Sequence, residues 1–565
     1  MNYTRKFILT SDNAAEAPRV KATGKLRFLP SHLNDRHLLG IELMIALIFC
    51  FMPLLFNNPY RINIFLSWEG AYRLYLGQVP FRDFSLPMGY GYWVIPAVFF
   101  KIFGPYFYSL IKAQVFINLV SVIAFRSILK LLNVRAEVIL MSVVVFCFSY
   151  VSFNFWPWYN HVVFVFEMVA LYFLLLGILK ASGWKMVVSI ATAAFFVFFS
   201  IFTKQDIGGM ALLTAYGILL YNAVVDKSAA KIAIFTGFVL LFAAAFVLPI
   251  LKYDFTYWFN YGQAPHKSRI DIMNFANEIL GWAYWEKFFL LILALFVLDK
   301  ASAGREFFRN KTEVLFAFIT LSIILQAFIV PVTSPVPEKN EVFFYAFGFA
   351  YCLSNLRLRI DLKRTPYVAI SLLLIGFWWT GIYWRNVQRV ISKKPVSVEK
   401  NEQRSIHKYR LASEYKSMEK LYLAESTLEG IRKIKSLDIV RTKKDLKVLN
   451  MSELTSLAYE VPFTPLKNQP MWFHQTVSIF QKEVDEFCVK VTNLEYDVVI
   501  FESVSTKEVI NFYPEDVLNC LKKHYKYEFT FLAPRTPEES YIHVFTKPRA
   551  GSGEIGLSAD KVDGD

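Results

Sequence analysis

The chain has 565 residues, of which 55% are hydrophobic and 17% aromatic, while only 19% are charged. A soluble protein of this length rarely carries 55 Phe and 30 Tyr, so the composition indicates a polytopic membrane protein. The formal net charge of +15 does not indicate a nucleic-acid-binding protein, because the excess Lys and Arg lie in short loops between apolar segments.

The apolar residues concentrate between Leu38 and about residue 383. Residues 1–37 form a polar, basic tail without a cleavable signal peptide, since the first apolar run starts late and is long enough to anchor the chain. We predict eleven membrane-spanning helices, the eighth of them short, and an interfacial or re-entrant helix at 93–103. The spans lie at about 38–56, 106–130, 137–155, 160–179, 186–203, 207–225, 232–251, 287–299, 313–331, 342–356 and 366–383.

Lys and Arg residues fill the N-terminal tail and every second loop. The positive-inside rule then predicts a cytoplasmic N-terminus for a protein of the cell inner (plasma) membrane. With eleven spans the C-terminal domain is extracytoplasmic, and an error of one span would move it to the other face. The extracytoplasmic face also receives the first loop, 57–105, and most of the unusual polar residues, which indicates a site on that face.

The first loop places two carboxylates among aromatic residues. Apolar residues recur at helical spacing from Glu69 to Leu76, with Arg73 on the opposite side, which predicts a short helix in the membrane interface. The stretch "GQVP" ends this helix and Asp83 follows it. The ordinary alternative to a functional role is that Glu69 and Asp83 are solvated loop carboxylates.

The stretch from Trp68 to Gly104, "WEGAYRLYLGQVPFRDFSLPMGYGYWVIPAVFFKIFG", resembles the first extracytoplasmic loop of GT-C superfamily membrane glycosyltransferases. These include protein O-mannosyltransferases, lipid A aminoarabinose transferases and other proteins of the family 39 type. Weaker similarities extend over most of residues 38–383. The resemblance implies an α-helical polytopic membrane protein of GT-C type with a C-terminal soluble α/β domain. It departs at Trp68, where the family has the first residue of an acidic pair.

The resemblance implies an inverting transfer of a hexosyl or pentosyl group from a polyprenyl-phosphate donor in cell-envelope glycan biosynthesis. The acceptor is a lipid, polysaccharide or protein. A carboxylate suits removal of the acceptor proton, so Glu69 is the candidate base and Asp83 a second base or an orienting group. A divalent cation is a possible cofactor in the family, but a metal usually needs more than one carboxylate, and no metal ligands are predicted here.

A basic residue is expected beside the donor phosphate, whose charge grows as it leaves. Lys204 in "TKQDIGG" is the candidate, with Arg82 and Lys339 as alternatives. Lys204 also fits an interfacial lysine of no catalytic role. The candidate substrate-binding residues are Tyr72, Asn160, His161, Gln205, Asp206 and Glu341, although His161 also fits a locally hydrogen-bonded helix end.

The polar C-terminal part is predicted to contain a linker helix at 384–425, an α/β domain at 426–548 and a disordered tail at 549–565. Strands are predicted in 445–452, 496–503, 527–534 and 541–548, and helices in 476–493 and 514–525. Cys488 and Cys520 could form a disulfide if the domain is extracytoplasmic, but their spacing does not decide this.

Two other functions are compatible with the sequence. A polysaccharide polymerase or ligase acting on lipid-linked oligosaccharide would share the topology but should depend on Arg or His in large loops. A non-catalytic transporter of lipid or sugar would favour internal repeats and polar residues at midspan. The sequence shows no convincing repeat, and its polar residues gather at the ends of the spans.

Overall fold

The structure is a computed structural model. It describes residues 30–55, 58–59, 64–85, 88–148, 156–253, 272–302, 304–333, 342–378, 384, 408–461, 463–475, 478–504, 513–534 and 540–549.

The N-terminal two thirds of the chain are helical, and each of the eleven predicted spans contains a helix. The helices are α1 (Asp35–Phe51), α2 (Ile64–Tyr75), α3 (Gly91–Phe103), α4 (Phe107–Leu131), α5 (Ala136–Phe146), α6 (Tyr159–Leu179), α7 (Gly183–Ile201), α8 (Gln205–Asp226), α9 (Ala230–Val247), α10 (Ile272–Asn277), α11 (Tyr284–Ala301), α12 (Arg305–Arg309), α13 (Lys311–Thr333), α14 (Val342–Asn355) and α15 (Thr365–Trp378).

Among the described residues, seven helices are long and apolar enough to cross a membrane, which makes the chain a multi-pass membrane protein. An eighth span is added if Phe275–Trp282 and Tyr284–Ala301, which meet at 72°, form one broken span. The other predicted spans contain the shorter helices α5, α14 and α15. Residues 149–155 and 379–383 of those predictions lie outside the described residues. The predicted interfacial or re-entrant segment at 93–103 is α3.

Helix α6 lies at the centre of the bundle and α9 at its edge. The most apolar window of α6 is 78% buried inside the protein, and that of α9 only 6%. Helix α1 begins at a capping box in which Asn34 and His37 bond reciprocally, and this start is tied to the loop before α15. There the Leu33 N–H donates to the Lys363 carbonyl oxygen at 2.8 Å.

The C-terminal part is an α/β domain, as predicted. Its four-stranded sheet has the order β5-β7-β9-β8, in which β5 and β7 are parallel and the other neighbours antiparallel. The strands are β5 (Val448–Met451), β7 (Val498–Val504), β8 (Lys526–Leu532) and β9 (Ser540–Thr546). The helices are α16 (Glu425–Ser436), α17 (Asp438–Thr442), α18 (Leu457–Glu460), α19 (Gln481–Thr492) and α20 (Glu515–His524). A disulfide between Cys488 and Cys520 joins α19 to α20.

The predicted linker helix does not extend through its C-terminal third. Tyr409–Leu411 and Leu421–Ala424 instead form the antiparallel strands β3 and β4. Residues 385–407 of that prediction, and the predicted tail beyond residue 549, lie outside the described residues. Charged side chains at helical spacing favoured a helix in the segment that forms β3 and β4. Leu421 and Leu423 of β4 are buried in the domain core, however, and this burial favours the strand.

The first loop is part of the C-terminal domain rather than a separate surface element. Its strand β1 (Asn58–Pro59) pairs in parallel with β4, and its strand β2 (Phe84–Ser85) pairs in parallel with β6 (Gln469–Pro470). Trp68 of α2 is fully buried in one apolar cluster with residues of the domain. The predicted interfacial helix α2 is therefore covered by protein, with its aromatic residues in a shared core.

Candidate functional site

Helix α2 holds Glu69 and Arg73 one turn apart, on the face that meets the C-terminal domain. Both side chains are buried, with Glu69 only 7% exposed and Arg73 only 1%. The Nε and Nη2 atoms of Arg73 both donate to Oε1 of Glu69, at 2.9 and 2.7 Å. These two hydrogen bonds fix the orientation of the carboxylate, and neither of them involves its second oxygen, Oε2.

The same arginine ties the first loop to the C-terminal domain. Its Nη1 atom donates to Oε1 of Gln78 and to the Leu466 carbonyl oxygen, both at 2.9 Å. Gln78 in turn donates to the Pro465 carbonyl oxygen at 2.8 Å. The sequence placed Arg73 opposite the apolar residues of α2 and did not predict that it pairs with Glu69. The i,i+4 spacing of Glu69 and Arg73 was the signal that could have revealed the pair.

A small cavity adjoins Glu69 and Arg73 where α2 meets the C-terminal domain. Its volume is about 10 Å³, room for one water-sized group. Apolar and polar side chains of both parts line it, among them Asn450, Thr455 and Gln469. Among the described residues, no hydrogen-bond donor contacts Oε2 of Glu69, so this oxygen is available to a group in the cavity.

Burial raises the pKa of the Glu69 carboxyl, and the charge and hydrogen bonds of Arg73 oppose that rise. The carboxylate is therefore a stronger base than a solvated Glu. Arg73 limits the rise of this pKa, because its positive charge favours the ionised carboxylate.

Asp83 has a different environment. Its oxygens accept from Nε and Nη2 of Arg82 at 3.0 and 2.7 Å and from the Val79 N–H at 2.8 Å. The hydrogen bond from Arg82 is the largest of the causes that lower the pKa of Asp83. A carboxylate with a lowered pKa and occupied oxygens is a weak base. Its contacts indicate that it holds the turn between α2 and β2, beside which Asn468 donates to the Asp83 carbonyl oxygen at 2.7 Å.

Lys204 lies directly before α8, where it is 8% exposed and forms an ion pair with Asp206. Asp206 also accepts from the Ile207 N–H at 2.7 Å, which fixes the first turn of α8. Gln205 is half-buried beside them. Helix N-termini favour anions because their N–H groups point outward, and here the Asp206 carboxylate supplies a negative charge.

The segment after β2 of the first loop packs against the turn that carries Lys204. A Cβ atom added at Gly89 would stand 1.5 Å from the Phe202 carbonyl oxygen. The rings of Tyr90 and Phe202 meet edge-on at 4.9 Å. The structure thus brings the first loop and the turn that carries Lys204 to the same end of the bundle.

We expect Gly89→Ala to destabilise the protein by roughly 1–3 kcal/mol, because the new methyl group must displace backbone rather than a flexible side chain. Gly209→Ala is the matched control: its Cβ meets nothing within 4 Å, and Ala in a helix gains about 1 kcal/mol over Gly. Thermal unfolding of both variants in detergent measures the difference. Equal unfolding midpoints would contradict the close packing of the two segments.

The remaining substrate-binding candidates fall in two places. Asn160 and His161 are both 4% exposed in the first turn of α6, near Pro157, whose carbonyl oxygen accepts from the Ser67 hydroxyl of α2 at 2.5 Å. Tyr72 lies against the domain instead, where its hydroxyl contacts the Ala458 carbonyl oxygen at 3.5 Å. Lys339 and Glu341 lie outside the described residues.

The side chains at Glu69 do not fit a divalent cation. Magnesium and calcium need several carboxylate or carbonyl oxygens, whereas Oε1 of Glu69 is occupied by a guanidinium group. No group of three or more His, Cys, Asp and Glu suited to a metal occurs in the part of the chain that the structure describes.

Comparison with protein-family models gives no match, and comparison with curated proteins gives none either. Among solved structures, the chain is similar to ArnT from Cupriavidus metallidurans in the apo state, with 10% identity and a TM-score of 0.48. It is also similar to ArnT from the same organism bound to undecaprenyl phosphate, with 11% identity and a TM-score of 0.47. Each alignment covers 89% of this chain and 97% of the other. The similarity is one of overall architecture alone.

Proposed function

We propose that the protein is a membrane glycosyltransferase of GT-C type. It transfers a sugar from a polyprenyl-phosphate donor to an acceptor hydroxyl, at the end of the bundle that carries the C-terminal domain. One observation carries this proposal: Glu69 is a buried carboxylate that lines a cavity, and Arg73 bonds to only one of its two oxygens. Glu69 also lies at the position that the GT-C resemblance assigns to a first-loop carboxylate.

The acceptor oxygen attacks the anomeric carbon as Glu69 takes its proton. The bond from that carbon to the phosphate oxygen breaks, and polyprenyl phosphate leaves with the electron pair. A single displacement of this kind inverts the anomeric configuration. Exclusion of water around Glu69 favours the reaction, because a partly desolvated carboxylate is more basic.

Lys204 stabilises the departing phosphate in this proposal, with the first turn of α8 as a second source of positive potential. A donor in the lipid presents its headgroup at the end of a span, which is where Lys204 lies. Asp83 acts as a positioning residue for the first loop rather than as a second base, because Arg82 and the Val79 N–H occupy its oxygens.

The experiment uses the purified full chain in lipid nanodiscs. The donor is a pool of polyprenyl-phosphate sugars, radiolabelled in the sugar and extracted from a host strain lacking this chain, and the acceptor is a membrane extract of that strain. We expect label to leave the donor and to appear in an envelope lipid, glycan or protein. Mass spectrometry of the same strain with and without the gene then identifies the missing sugar. The same protein reconstituted in lipid vesicles tests the alternative: movement of intact donor across the bilayer without cleavage would contradict the enzyme and support a transporter.

We expect Lys204→Gln to lower kcat/KM for the donor by about tenfold or more, since a charged hydrogen bond to phosphate contributes roughly 1.5–3 kcal/mol. The same assay at limiting donor measures it. Lys180→Gln is the control. Lys180 is an exposed lysine at the C-terminal end of α6, whereas the first loop contacts the residues just before the N-terminal end of that helix. Equal values of kcat/KM for the two variants would show that Lys204 does not bind the donor phosphate.

A further inference from the structure

The cavity beside Glu69 is walled on its far side by the C-terminal domain. Side chains of that domain line it together with Glu69 and Arg73, and several of these are apolar. The apolar part of this lining consists of Val448, Ala458, Phe463, Pro465, Leu466 and Phe473. Because Arg73 neutralises Glu69, the cavity carries no net charge and suits a neutral polar group attached to carbon.

Thr455 gives the cavity a hydroxyl that the protein itself does not use. The side chain is 4% exposed, and its Oγ1 atom has no hydrogen-bond partner among the described residues. Thr427 of the same domain shows the usual arrangement, since its fully buried hydroxyl donates to the Leu532 carbonyl oxygen at 2.6 Å. A buried hydroxyl without a partner costs free energy, so a group that binds in the cavity would recover that cost.

Gln469 supplies a second unused polar group on the same wall. Its backbone is fixed by the pairing of Gln469 with Phe84 in β6 and β2, while no described residue hydrogen-bonds to its side-chain amide. Asn450, which also lines the cavity, is engaged differently: its amide donates to the Leu454 carbonyl oxygen at 3.1 Å and accepts from Ser452 at 2.6 Å. Among the described residues that line the cavity, the polar groups without a hydrogen-bond partner thus include the Thr455 hydroxyl, the Gln469 side-chain amide and Oε2 of Glu69.

We propose that Thr455 and Gln469 bind the acceptor hydroxyl and hold it against Glu69. This inference rests on the proposed transferase function and assigns its acceptor subsite to the C-terminal domain. The acceptor is a neutral alcohol, such as a sugar or side-chain hydroxyl, because the cavity is small, partly apolar and without net charge. The alcohol donates its proton to Oε2 of Glu69, while its oxygen accepts a hydrogen bond from Thr455 or Gln469 and keeps a lone pair for the anomeric carbon.

The test is the partition of labelled sugar between acceptor and water, measured with the donor pool and membrane extract described above. Thr455→Val removes the hydroxyl but keeps the shape of the side chain. It should shift the partition from transfer toward hydrolysis by roughly five- to tenfold, which is the effect expected from the loss of one hydrogen bond. Thr455→Ser keeps the hydroxyl and should keep the wild-type partition. Gln469→Leu should shift it in the same direction as Thr455→Val.

Thr427→Val is the matched control, because it removes a satisfied hydroxyl from the same domain. It should lower the unfolding temperature and leave the partition unchanged, whereas Thr455→Val should not lower that temperature. A wild-type partition in folded Thr455→Val and Gln469→Leu would overturn the acceptor subsite while leaving the transferase proposal intact. Failure of the wild-type protein to release any label from the donor would overturn the transferase proposal itself.

Discussion

Glu69→Gln is expected to lower the rate of sugar transfer by about 10²–10⁴-fold while the protein remains folded, since this is the usual contribution of a general base. Glutamine has nearly the shape of glutamate, and its amide oxygen can still accept from Arg73. What it lacks is the ability to take a proton at the position of Oε2. The loss should therefore appear in kcat at saturating donor and acceptor, measured with the labelled polyprenyl-phosphate pool.

The matched variant is Asp83→Asn, which changes the second carboxylate of the same loop. We expect it to lower stability, because the ion pair with Arg82 is lost, and to retain most of kcat. Circular dichroism and size-exclusion chromatography of both variants establish that they are folded. If Asp83→Asn abolished transfer while Glu69→Gln retained it, the base would be Asp83 and the interpretation of the cavity would be wrong.

The helices and strands could be predicted because each carries a pattern of its own. Most residues of α6 are apolar, and β7 begins as a short apolar run, so apolar content and length suffice to identify both. The number of helices long enough to cross the membrane was harder to predict. The helices α5, α14 and α15 are short in the described part of the chain, and hydropathy alone does not separate a short span from a long one.

The association of the first loop with the C-terminal domain could not be predicted. The strands that join them, β1 with β4 and β2 with β6, pair over only two residues each, too few for any periodic pattern. The partners lie more than 350 residues apart in the chain. Local sequence carries no signal for such contacts, and this is why Thr455 and Gln469 were not candidates.

The burial of Arg73 could not be predicted for a related reason. On a helix at a membrane surface, an arginine would point to water, and the apolar residues of α2 would point to lipid. Because the C-terminal domain covers α2, the polar face is buried as well, and an arginine there needs acceptors. Glu69, Gln78 and the Leu466 carbonyl oxygen supply them.

Replacing Arg73 is the second large perturbation that we expect to see, and its signature is a shift in pH dependence. Burial raises the pKa of Glu69, and Arg73 is the largest opposing influence. Arg73→Gln should therefore raise this pKa further. The active base is the ionised form, so the acidic limb of kcat/KM against pH should move to higher pH, and at a fixed pH below it the rate should fall about tenfold for each unit of displacement.

The same substitution breaks a buried ion pair, which typically costs roughly 3–5 kcal/mol, so Arg73→Lys is measured beside it. Lysine keeps the positive charge but cannot donate two hydrogen bonds to one carboxylate in the same fork. Its acidic limb should lie between those of the wild type and Arg73→Gln. Arg82→Gln serves as the control, since the Arg82 side chain is 42% exposed and pairs with Asp83 rather than Glu69; its limb should not move. An acidic limb that stays in place when Arg73 loses its charge would mean that Glu69 is not the group whose ionisation governs transfer.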